Sequence, residues 1–119
     1  MKKDNVIRDK SYQFALRIIG LYKYLKDDKS EYVLAKQVLR SGTSVGANVE
    51  EAIGAQSRND FFAKSSIAYK EARETHYWIR LLRDSGYLEK DLSSSLLNDC
   101  DEVLRIIASI QKTIKGATS

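Results

Sequence analysis

The chain has no proline and only one cysteine, Cys100, in 119 residues. Without proline, every backbone N–H can enter a helical ladder, and the commonest cause of sharp helix kinks is missing. A lone cysteine cannot close an intrachain disulfide, which fits a reducing, cytoplasmic setting. There is one histidine, His76. A carboxylate-bridged metal centre inside a helical bundle needs Glu-x-x-His spacings on facing helices. Glu71 and Glu74 stand at the wrong offsets from His76, so no metal or other cofactor is expected. No apolar run approaches the roughly 20 residues of a membrane span, and residues 1–9 contain no apolar core of signal-peptide type. No membrane association is expected. Gly42 and Gly46 are not followed by the Gly-Lys-Ser/Thr of a phosphate loop. Cys100, between Leu96 and Val103 on an apolar seam, reads as core packing and not as a nucleophile. No hydrolytic or redox spacing is present, and the chain reads as non-enzymatic.

Apolar residues make up 43% of the chain and charged residues 30%, with a formal net charge of +4. That supports one domain with one core and solvated outer faces. The charge is uneven. Residues 1–29 carry +4 and residues 57–86 carry +2, while residues 30–56 and 87–119 each carry −1. Such a balance permits nucleic acid or an acidic protein surface as partner without demanding either.

The apolar pattern is helical throughout. Phe14, Ile18, Leu21 and Leu25 are spaced 4, 3, 4, with Ala15, Ile19 and Tyr22 expected to broaden their stripe. Phe61, Ser65, Ala68, Ala72, Thr75, Ile79 and Leu82 form a heptad seam. Leu96, Cys100, Val103, Ile107, Ile110 and Ile114 form another. Helices are expected at about 5–26, 31–55, 58–84 and 90–115. The expected caps are Ser30 for the second helix, Ser57 with Asp60 for the third, and Asp91 or Ser93 for the fourth. Gly86 suits a left-handed C-terminal position. The fold class that follows is all-α, a single antiparallel up-down-up-down four-helix bundle.

The second helix differs from the others. From Ser41 to Val49 it carries no formal charge, and it holds Gly42, Gly46 and Asn48. Two adjacent seams can be drawn along it. One is Leu34, Val38, Ser41, Val45, Asn48, Ala52; the other is Ala35, Leu39, Gly42, Gly46, Val49, Ile53. Each interior glycine costs about 1 kcal/mol of helix propensity against alanine, which close approach by a neighbouring helix would offset. Continuous helix is expected here, over a loop at residues 41–44. The double seam suggests contact beyond a single face, including with another subunit. Asn48 is expected as a buried, register-setting amide.

The third helix carries the candidate surface. Lys70, Arg73, Tyr77 and Arg80 fall at 3, 4, 3 spacing, with Lys64 and Arg83 near the ends. A basic stripe with an interleaved aromatic can track phosphates and offer a stacking face. Lys2, Lys3, Arg8 and Lys10 of the first helix would extend it. Glu71 and Glu74 dilute it, and a merely solvated face is the plainer reading. Two roles remain open: a binding module for nucleic acid or a nucleic-acid-handling protein, and a scaffolding oligomer that holds a protein partner in an apolar groove.

Three stretches carry a family resemblance. The first is the pattern formed by Arg40, Ser41, Ser44, Asn48 and Glu51, with Gly42 and Gly46 inside it. The second runs from Ser57 to Phe61, and the third from Ile67 to Leu82. Together with Asp9 to Ile19 they resemble the bacterial four-helix proteins first met as reading frames inside 23S ribosomal RNA intervening sequences. Ala52 departs from the glycine that many members place after the glutamate, and favours unbroken helix. The resemblance implies a small bundle without an assigned enzymatic activity, in some members a pentameric homo-oligomer. It extends to the accessory protein of diversity-generating retroelements, which binds a reverse transcriptase and nucleic acid. RNA, DNA or a nucleic-acid enzyme are therefore expected partners.

Overall fold

A computed structural model of the chain describes residues 2–118, with side-chain surroundings for residues 6–116. Four helices follow in order: α1 (Lys2–Asp27), α2 (Val33–Ile53), α3 (Arg58–Asp84) and α4 (Lys90–Thr118). Their connections are only a few residues long, so each helix turns back along the one before it. Each packs on its neighbours in sequence and α1 also meets α4, while among the described residues the diagonal pairs make no close backbone approach. The result is the up-down-up-down bundle that the periodicity predicts, measuring 48 × 21 × 19 Å. The α2–α3 contact is the most extensive and the α1–α4 contact the least.

The core is one stripe from each helix. Phe14, Ile18 and Leu25 of α1 meet Ile79 and Leu82 of α3 and Leu96 and Ile107 of α4 in a single buried cluster. Each such side chain stabilises the fold by roughly 1.5–3 kcal/mol through its removal from water. Leu88, between α3 and α4, closes one end. Ile19 does not join the stripe. It lies with Tyr12 and Leu16 on the outer side of α1, where the three are 37%, 61% and 47% exposed.

Helix α2 runs unbroken through Ser41–Ser44. The hydroxyls of Thr43 and Ser44 bond to the carbonyls of Leu39 and Arg40, each at 2.7 Å, so neither competes for the helix's own N–H groups. The buried line is Ala35, Val38, Ser41, Gly42, Val45, Val49 and Ala52, drawn from both seams. It is a single broad face, with α1 on one side and α3 on the other. The double seam therefore reflects two neighbours within the chain and is not a sign of another subunit. Asn48 is left on the flank, half-buried, and its amide donates to the Ser44 carbonyl at 2.8 Å. It bonds its own helix and does not set register across the core.

Two of the expected caps are placed differently. Ser30 has φ 53° and ends the α1 turn, where Glu31 N–H reaches back to the Leu25 carbonyl at 2.9 Å. The first turn of α2 is instead capped by the Glu31 carboxylate, which accepts from Leu34 N–H. Ser93 is buried inside α4, its hydroxyl turned to the Lys90 carbonyl at 2.9 Å. Ser57 does cap α3, accepting from Asp60 N–H at 3.0 Å, and Gly86 takes φ 90° after α3.

The α1–α2 approach is tightest at Gly42. A Cβ there would lie 2.7 Å from Ile18 Cγ2 and 3.1 Å from Ile18 Cβ, in a β-branched side chain with little freedom to move. At Gly46 the nearest atom, the Ser11 carbonyl oxygen, would be 3.4 Å away. Gly42→Ala is therefore expected to destabilise by about 1–3 kcal/mol through overpacking, net of any helix-propensity gain. Gly46→Ala should be neutral or stabilising by up to about 1 kcal/mol. Urea titration of the two variants checks this; equal midpoints would remove Gly42 as the point of closest contact.

Candidate functional site

The basic residues of α3 divide according to what the neighbouring helices place beside them. Lys64 faces α2 and pairs with Glu51 at 3.1 Å. Arg83 folds onto Asp84 at 2.7 Å. Neither is left to form a stripe with the others. Lys70 and Arg73 are exposed and have no carboxylate partner among the described residues. Arg80 lies over the Tyr77 ring, 5.8 Å from its centroid, an arrangement favoured by the ring's negative face. Tyr77 is 47% exposed and meets Trp78 edge-on at 5.2 Å.

The basic part of α1 does not extend this surface, because α1 is diagonal to α3. Its cations serve other contacts: Arg8 lies 3.5 Å from Glu50, Lys10 3.1 Å from Glu102, and Arg17 2.6 Å from Asp99. Lys2 and Lys3 lie outside the residues whose side chains are described.

The family-pattern residues of α2 form a different group. Arg40 bridges Glu71 and Glu74 of α3, at 3.2 Å to Glu71. Trp78 Nε1 donates to Glu74 at 2.9 Å, and that bond, with the Arg40 guanidinium beside it, holds the Glu74 carboxyl below its usual range. Inside the bundle, Thr75 Oγ1 lies 2.9 Å from Ser41 Oγ and 2.8 Å from the Glu71 carbonyl. These groups set how α3 sits against α2. They present no converging, open chemistry. Cys100 is fully buried, donates to the Ala72 carbonyl at 3.2 Å, and its thiol is pushed up to about 12 by burial. It stays protonated at neutral pH. Among the described residues no cluster of metal-ligating side chains occurs, and no helix is long and apolar enough to cross a membrane.

Between α3 and α4 runs an open groove of about 600 Å³ lined by Arg73, Glu74, His76, Tyr77, Arg80, Asp101 and Leu104. His76 is its hub. Arg80 Nε donates to His76 Nδ1 at 3.0 Å, and His76 Nε2 lies 3.1 Å from Asp101 Oδ1. Nδ1 must be unprotonated to accept from Arg80, so the ring is neutral with its hydrogen on Nε2 toward Asp101. The i, i+4 spacing of His76 to Arg80 was visible, but Asp101, 25 residues further on, could be placed only by the bundle.

Burial pushes His76 below its ordinary value of 6.5; Arg80 and Arg73 push the same way, and Asp101 opposes them. The folded state therefore binds fewer protons than the unfolded chain between the depressed value and about 6.5. The contribution to stability is complete above about 6.5 and is lost as pH falls through the folded value. With one histidine in the chain, its imidazole NMR signals should titrate below 6.5. Asp101→Asn should lower the midpoint further and Arg80→Met should raise it. A midpoint at or above 6.5 in the native protein would contradict this electrostatic arrangement.

With the geometry in place, comparison with known proteins assigns the family. The profile described as 23S rRNA-intervening sequence protein matches residues 3–109, and the chain belongs to that family. No curated protein matches it. Among solved structures, the chain is similar to a protein of unknown function from the S23 ribosomal protein family of Bacteroides thetaiotaomicron VPI-5482. The two share 51% identity with a TM-score of 0.91, over 92% of this chain and 98% of that one.

Proposed function

We propose that this protein is a non-enzymatic, homo-oligomeric binding module whose α3 face engages nucleic acid or a nucleic-acid-handling protein. The observation that carries this reading is the row Lys70, Arg73, Tyr77 and Arg80. Two of its cations lack carboxylate partners among the described residues, and a third lies over an exposed aromatic ring. Guanidinium and ammonium groups bind phosphates, and a tyrosine at their centre can stack on a base. The resemblance to the retroelement accessory protein points to the same partner class.

With three cations per subunit, binding of a single-stranded oligonucleotide should follow a slope of about −2 in log K against log salt for each subunit engaged. The double reversal Arg73→Glu with Arg80→Glu should weaken binding at least about tenfold with helicity unchanged. Fluorescence anisotropy across a salt series measures both. No binding at low salt would overturn the proposal. Capture of a protein partner that ignores the charge reversal and nuclease would favour the scaffolding alternative.

The homo-oligomer rests on the outer stripe of α1. Tyr12, Leu16 and Ile19 are spaced 4, 3 and all face away from the core. An apolar row on an outer helix face is the geometry that a second helix covers. We take the assembly to be a pentamer, the number the family resemblance implies. Leu16→Glu with Ile19→Glu should reduce the mass found by light scattering to that of a monomer and leave the helical content unchanged. An unaltered mass would place the interface elsewhere.

A further inference from the structure

We propose that the α3–α4 groove is a proton-linked phosphate subsite, in which Arg80 leaves His76 for the phosphate and His76 takes up a proton in its place. The inference rests on the nucleic-acid reading of the α3 face and adds to it the ligand group, the residue that moves and a linkage to pH.

In the structure, Arg80 Nε covers the Nδ1 lone pair of His76 at 3.0 Å, and its guanidinium lies over Tyr77. Arg73, unpaired with any carboxylate among the described residues, lines the same groove. A phosphate oxygen entering between the two arginines competes with His76 for Arg80. A phosphate is the stronger acceptor, because the bond then joins two opposite charges. Once Arg80 turns to it, Nδ1 presents a bare lone pair toward an anion, which is repulsive. Protonation removes the repulsion: Nδ1 becomes a donor and the ring becomes a further cation. Asp101, at 3.1 Å from Nε2, is placed to stabilise the imidazolium.

The charged groups facing His76 are Arg73 and Arg80 from α3 and Asp101 from α4. Without the anion, burial and the two arginines keep the ring neutral against Asp101. With it, the arginine charge is matched and the anion joins Asp101 in favouring the imidazolium. Tyr77, released from beneath Arg80, offers its face to the adjoining base. Glu74 also lines the groove, but Arg40 and Trp78 engage its carboxylate. Binding thus takes up at most one proton, and affinity should rise as pH falls, by at most about tenfold per pH unit.

The test uses the intact protein and its single histidine. Anisotropy with a labelled single-stranded RNA between pH 5.5 and 8, at constant ionic strength, should show tighter binding at low pH. His76→Gln, which cannot titrate, should flatten this dependence. In parallel, the His76 NMR midpoint should rise when the RNA or inorganic phosphate is added. A pH dependence that survives His76→Gln, or a midpoint unmoved by either ligand, would overturn the inference and leave nucleic-acid binding standing. A midpoint raised by inorganic phosphate, with no RNA binding at any pH, would support the subsite and overturn the nucleic-acid reading.

Discussion

Helix α2 must lie against two neighbours at once, and the room for this is set where Gly42 meets Ile18. No larger residue fits there without displacing a branched side chain close to its own backbone. The helix-propensity cost of Gly42, about 1 kcal/mol, is offset only if α1 stays close at this point. On its other side α2 is joined to α3 by the buried Ser41–Thr75 contact and, nearer the surface, by Arg40 with Glu71 and Glu74. Together these fix the rotation of α3 about its own axis. That rotation turns Lys70, Arg73, Tyr77 and Arg80 away from α2, so the candidate surface is a consequence of packing that occurs on another helix.

The ion pairs act mainly between helices. Lys10 and Arg17 join α1 to α4, Arg8 approaches α2, and Lys64 and Arg40 join α3 to α2. Exposed pairs of this kind stabilise by only about 0–1 kcal/mol each. Their larger effect is to favour one arrangement of helices over alternatives with like charges in contact. They also withdraw cations from the surface. On α3, Lys70 and Arg73 are left without a carboxylate partner among the described residues.

Much of the fold was legible because a heptad seam reports which side of a helix is buried. The seams of α3 and α4 match the core closely, as does Phe14 to Leu25 of α1. What periodicity does not report is which neighbour covers a face. The double seam of α2 correctly indicated two-sided contact but suggested a second subunit, where α1 and α3 suffice. Asn48 was assigned to a core seam that the true packing axis leaves on the flank. The same limit applies to the site. The stripe of Lys70, Arg73, Tyr77 and Arg80 could be read from spacing alone. The loss of Lys64 to Glu51 and the joining of His76 to Asp101 depend on residues brought near by other helices. Arg83 was lost to its own neighbour, Asp84, a pairing that spacing permits but does not require. Ser30 shows the local version: a good capping residue served instead as the left-handed end of the preceding helix.

The apolar stripe and the basic row do not compete for the same ground. The apolar stripe of Tyr12, Leu16 and Ile19 is on α1, and the α3–α4 groove includes no α1 residue. Because α1 and α3 are diagonal in the bundle, an assembly built through the α1 stripe would leave the basic row of every α3 open. Each row is small, with three cations and one stacking ring, and a single copy would hold a phosphate chain weakly. Several copies held rigidly together convert later contacts into intramolecular ones at high effective concentration. Affinity in such a design comes from repetition of a modest site. A bundle with Arg8, Lys10, Arg17, Arg40 and Lys64 tied into interhelical pairs can then still bind a polyanion.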